Sequence, residues 1–99
     1  MSDLLHNKVT NVSAGTAVRF TPTPTQIKSM LVHANTDNSG NVFVGGTGVD
    51  STNTPPIAAG ATRTFTFKST ELETTTDMAT LYMDAASSGD GLTYSAATP

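Results

Sequence analysis

The chain contains no cysteine and no tryptophan. Without thiols there is no disulfide framework, no cysteine-ligated zinc and no thiol nucleophile, and composition carries no mark of a redox compartment. Charge is scarce as well, at 13 % of residues, where an ordinary globular domain carries roughly a quarter. The few cations, Lys8, Arg19, Lys28, Arg63 and Lys68, are scattered and the net charge is −3, so nucleic acid, which needs clustered Lys and Arg to replace condensed counterions, is not an expected partner. No window approaches the ~20 apolar residues of a membrane span, and the first eight residues hold no secretory apolar run. Synthesis without a signal, and no membrane contact, are the expectation. Helical periodicity is equally wanting, because Gly, Pro or runs of Thr interrupt every long window.

Hydroxyl side chains are abundant: 19 Thr and 9 Ser stand beside 8 Gly and 5 Pro in 99 residues. β-Branched threonine is stiff at χ1, poor in helices and well suited to a pleated, half-solvated surface, so the composition predicts strands. Thr16 to Phe20 alternates, and the Thr-Pro repeat at 21–25 closes it, since each proline removes a ladder donor. Gln26 to Ala34 reads as one strand, apolar on both faces near its middle, as in a strand buried between two layers. The turn cluster Asn35 to Gly40 followed by Asn41 to Gly45 predicts a hairpin. Ile57 to Thr62 approaches and turns into Arg63 to Phe67, where Phe65 and Phe67 share a face and are expected in the core. Lys68 to Asp77 reads as a surface loop with room for one helical turn at 69–73, Met78 to Met83 as a strand, and Leu92 to Ala96 as the last.

The predicted fold is therefore all-β, a small antiparallel β-sandwich or jelly-roll-like barrel of six to seven short strands. Residues 1–15 are expected as an N-terminal arm and lead-in, and 16–99 as a single β-domain.

Chemistry has few candidates. Only His6 and His33 could supply an imidazole base for a nucleophile, and a surface or interface histidine describes each better. Glu71, Glu73, Asp77, Asp84 and Asp90 could pair as glycosidase carboxylates, yet solvated loop carboxylates describe them better in a chain without tryptophan platforms. Asp37-Asn38-Ser39-Gly40-Asn41 and Ser88-Gly89-Asp90-Gly91 have the oxygen-rich look of calcium loops but lack a closing bidentate Glu, and these residue types equally suit turns. No catalytic residue, metal or cofactor is expected. Leu31, Phe43 and Tyr82 alternate away from the expected core, either as an exposed patch that wants a partner or as a second core layer.

Three successive stretches carry a resemblance: Asn38-Ser39-Gly40-Asn41-Val42-Phe43-Val44-Gly45-Gly46, then Pro56-Ile57-Ala58-Ala59-Gly60-Ala61-Thr62, then Leu81 to Tyr94 with its Asp84 and Gly89-Asp90-Gly91. Their order resembles a group of small tailed-bacteriophage virion proteins, of the capsid decoration (cement) or head-fibre type, over roughly residues 16 to 95. The middle stretch departs from the pattern, with Ala61 where an acidic residue is common and Ala58 in place of Leu. The resemblance implies a structural, non-enzymatic role on the outer capsid surface after synthesis in the host cytoplasm. Its implied partners are the major capsid protein and further copies of the chain, a trimer being favoured. The expected contact residues are Leu4, Leu5 and His6 of the arm together with Leu31, Phe43 and Tyr82, with the loops at 35–40 and 47–55 beside them. The alternative is a glycan-binding, host-recognition module of a phage fibre or spike.

Overall fold

The computed structural model describes residues 4–67 and 76–98. The chain is an all-β antiparallel sandwich. Strands β1 (Leu4–Thr10), β4 (Ser29–Ala34), β6 (Thr62–Thr66) and β9 (Gly91–Ala97) form one sheet in the order β1-β9-β4-β6. Strands β2 (Val18–Arg19), β5 (Val42–Gly45) and β8 (Tyr82–Ala85) form the second in the order β2-β8-β5, and β3 (Gln26–Ile27) pairs with β7 (Thr76–Asp77) as a two-residue clip. Nine strands are thus present among the described residues, against six or seven expected; the additions are β1, which was expected as an arm, and the two-residue β3 and β7, too short to show a period of two.

Alternation dictates what each sheet buries. In the four-stranded sheet Met30, Val32 and Ala34 of β4 and Leu92, Tyr94 and Ala96 of β9 point inward and are buried. Val9 joins them from β1, while Phe65 of β6, opposite Met30, packs against this layer and stays half-exposed because β6 is an edge strand. Phe67 is likewise packed on the core but only partly covered. The facing sheet contributes Val42, Val44, Met83 and Ala85. Phe20 and Tyr94 close one side of the core, their ring centroids 5.3 Å apart and tilted by 47°, a geometry that aromatic quadrupoles favour. Burial also pushes the Tyr94 phenol above its ordinary pKa.

Four expectations are corrected. The segment read as an arm is largely a strand: β1 pairs with β9 along its whole length, Leu4 opposite Ala97 through Thr10 opposite Gly91. Its period of two is masked because Asn7 occupies the inward register between Leu5 and Val9. The strand expected at 26–34 breaks at Lys28, whose backbone bonds Ala97 O and Phe67 N. The break lets Ile27 be fully buried while β4 has only one buried face, Leu31 being 43 % exposed on the other. Residues 35–41 make no hairpin, since β4 and β5 belong to different sheets and the turn carries the chain across the sandwich. Finally, Met78–Thr80 is a 3-10 turn, and the strand that follows starts at Tyr82. The possible helical turn at 69–73 lies outside the described residues.

Asp77 supports the clip. Its carboxylate accepts N–H groups from Thr25 and Ala79, both at 2.9 Å. The Thr25 bond first, then the Ala79 bond and the nearby Arg19 charge, hold its pKa below the ordinary carboxylate value. A depressed carboxylate stabilises the fold above its unfolded pKa, and that contribution disappears as pH falls through the lower folded value. Asp77→Asn is therefore expected to lose less Tm between neutral and strongly acid pH than the parent; an identical acid limb in thermal melts would contradict this.

Candidate interaction surface

One end of the sandwich is a polar clasp. Three connections cross between the sheets there: residues 11–17, 35–41 and 86–90. Each crossing leaves backbone donors that no ladder satisfies, and buried donors must find acceptors. Asp84, 2 % exposed, serves three donors: its Oδ1 accepts from Gly15 N of the first crossing at 3.0 Å, from the Asn11 side-chain Nδ2 at 3.3 Å and from Ala85 N of β8 at 2.8 Å. Asp90 accepts from Ser39 N at 3.0 Å and Gly40 N at 2.9 Å, one on each oxygen. Asn38 brackets Gly91, donating to its carbonyl at 2.9 Å and accepting its N–H at 3.0 Å. Fully buried Asn11 donates to Thr16 O at 3.0 Å as well as to Asp84.

The carboxylates considered for hydrolysis are thus occupied with backbone N–H groups at Asp77, Asp84 and Asp90; Glu71 and Glu73 lie outside the described residues. The two oxygen-rich segments are one clasp, held together by Asp90 and Asn38. No group of three or more His, Asp or Glu that could hold a metal occurs among the described residues. The first and third stretches of the resemblance also meet here, since β5 pairs with β8 and Ser39 and Gly40 rest on Asp90.

The outer face of the four-stranded sheet is open. Register places Leu4, His6 and Lys8 of β1 beside Ala97, Ser95 and Thr93 of β9. These in turn lie beside Ser29, Leu31 and His33 of β4, then Thr66, Thr64 and Thr62 of β6. Because Thr93 and Ser95 of β9 are small while His6 and Lys8 of β1 and Leu31 and His33 of β4 are long, β9 forms the floor of a trough. A depression of about 450 Å³ lies there, lined from β1 by His6, Asn7 and Lys8, from β9 by residues 93–95 and from β4 by Leu31. His33 at the far wall lies 3.2 Å from Thr62 Oγ1 through its Nδ1. Leu4 and Leu31 are two of the three exposed large hydrophobic residues among those described, at 67 % and 43 %; Val12 is the third.

Three of the six expected contact residues, Leu4, His6 and Leu31, thus share this face, and three do not. Leu5 turns inward and packs on the core. Phe43 and Tyr82 lie on the outer side of the other sheet, so they form no common patch with Leu31. Phe43 is only 4 % exposed. It lies off the main core cluster, as does buried Val49, whose side chain would lie 3.3 Å from a Cβ on Gly45. The loop after β5 thus folds back toward that sheet, as loops over small satellite clusters do. Tyr82 is half-buried, its hydroxyl accepting from Arg19 Nε at 3.1 Å and Nη2 at 2.8 Å. The loop at 47–55 is ordered from within by Asp50, which accepts from Thr52 and Asn53, and Arg63 reaches it through Pro55 O at 3.4 Å.

Lys8, Thr93 and Ser95, which line the trough, are not among the expected contact residues. The signal for them is the outward register of β1 and β9, which becomes visible only once β1 is known to be a strand. No protein-family model matches this chain, and no curated protein matches it.

Proposed function

We propose that this chain is a non-enzymatic structural protein of a tailed-phage virion that decorates the outer surface of the head and reinforces the assembled capsid lattice. The observation that carries the reading is the open outer face of the four-stranded sheet, where Leu4, His6 and Leu31 converge on a surface of Thr and Ser hydroxyls. A rigid β-face with exposed apolar residues is suited to recognition by surface. The resemblance of residues 38–46, 56–62 and 81–94 supplies the virion context. Binding that occurs only on the assembled lattice stabilises that lattice by mass action and requires no chemistry. The partner in this reading is the major capsid protein, and several copies of the chain cluster at symmetric positions on the head.

The test is cosedimentation of the purified chain with assembled heads and, separately, with unassembled capsid protein. Binding to heads alone, with a higher temperature of DNA release from decorated particles, is the expected result. Absence of head binding overturns the proposal, and binding of isolated surface glycan in its place would favour the fibre-type alternative.

A further inference from the structure

The outward residues of the four-stranded sheet include Lys8 but neither Asp nor Glu, although the chain as a whole carries eight acidic residues and a net charge of −3; Arg63 stands in the inward register opposite Val32 and does not add to this face. Acidic side chains have been kept off this face. In the trough, Lys8 and His6 form one wall, Thr93 and Ser95 the floor and Leu31 the other wall. The walls stand two strand spacings apart, about 10 Å, which admits one extended chain lying along β9. The lateral edge is less inviting, because Asn7 Oδ1 already accepts the backbone N–H of Lys8 at 2.8 Å and Lys8 itself guards the edge. A partner is therefore directed to the face, not to strand addition.

We infer that this trough binds an extended acidic segment of a partner protein, a carboxylate seated between Lys8 and His6 and a neighbouring apolar side chain resting on Leu31. Thr93 and Ser95 offer hydroxyls to the segment's polar groups. A single lysine flanked by imidazole cannot neutralise a run of phosphates, and no aromatic ring is presented as a sugar platform, since Tyr94 and Phe65 point inward. Protein carboxylates are the anions that suit so sparse a charge beside a leucine. The inference deepens the proposed decoration role by naming the chemistry of the capsid segment it would grip.

The experiment is an NMR titration of the isotope-labelled chain with an acetylated, amidated Glu-Leu-Glu-Leu-Glu peptide and with its Lys-Leu counterpart. The acidic peptide is expected to shift the amides of residues 6, 8, 31, 93 and 95, and the basic one to leave them unmoved. Lys8→Glu should weaken binding about fivefold or more, the scale of one exposed ion pair and its reversal. Leu31→Ser should weaken it with Lys8 intact, and both sites are exposed enough for the fold to survive. Shifts located elsewhere, equal response to the basic peptide, no response at millimolar peptide, or indifference to both substitutions would each overturn the inference. Heads that bind the parent chain and Lys8→Glu equally would refute the trough while sparing the decoration role. Peptide binding without head binding would do the reverse.

Discussion

Asp84→Ala is expected to destabilise the protein by about 3 kcal/mol, a large share of what a domain of this size has to lose. The carboxylate is 2 % exposed and its Oδ1 receives Ala85 N, Gly15 N and Asn11 Nδ2. Truncation removes a charge-assisted acceptor from three donors at once and leaves at least the Ala85 N–H without a partner in the interior. The cost extends beyond a single contact because Asn11 and Gly15 belong to the crossing between the sheets, so the clasp loosens where the chain changes sheet. Asp84→Asn keeps an acceptor oxygen in place and should cost about 1 kcal/mol. Urea unfolding at neutral pH measures both, and an alanine variant within about 0.5 kcal/mol of the parent, the range of ordinary surface substitutions, would contradict this role.

A second substitution of comparable size is Gly91→Ala. A Cβ at this position would lie 2.5 Å from Val9 O and 3.2 Å from Thr10 Cα, both backbone atoms. No rotamer change relieves such a contact, so β1 must move away from β9 or the clasp must open. The expected loss is about 3 kcal/mol, at the upper end of overpacking costs, with faster amide exchange along residues 5–11. Gly46→Ala is the control, since nothing lies within 4 Å of a Cβ there and its φ is not in the left-handed region. If the two alanine variants melted at the same temperature, the close approach of β1 to the clasp would be refuted.

The register of those backbones could not be read from the sequence, though much around them could. Alternation places Met30, Val32 and Ala34 on one face of β4, and the turn-forming residue types mark the clusters at 35–40 and 88–91. It could not say which sheet a strand joins, because β-pairing is a long-range choice that local periodicity does not encode. Hence 35–41 looked like a hairpin and is a crossing. Alternation also placed Phe43 away from the core partners, correctly, but the return of the loop near Val49 that accompanies its burial has no local signature. Of the contact residues, Leu31 was legible because a leucine standing opposite buried neighbours is conspicuous. The trough was not, for its floor is small residues of β9 and its wall is a strand interrupted by Asn7. Asp84 and Asp90 stand out in the sequence as acids, whereas their structural role follows from three crossings converging at one end.

In the proposed role, the outer face of the four-stranded sheet is the surface that meets the capsid. Because the chain has no cysteine, a single thiol reports one position cleanly. Thr64→Cys places it on that face, and Arg19→Cys places it on the outer side of the three-stranded sheet, opposite Tyr82. Maleimide labelling of each variant, alone and mixed with assembled heads, compares the two directly. The expected result is that heads slow labelling at Cys in position 64 severalfold and leave position 19 unchanged. Equal labelling at position 64 with and without heads would contradict that role.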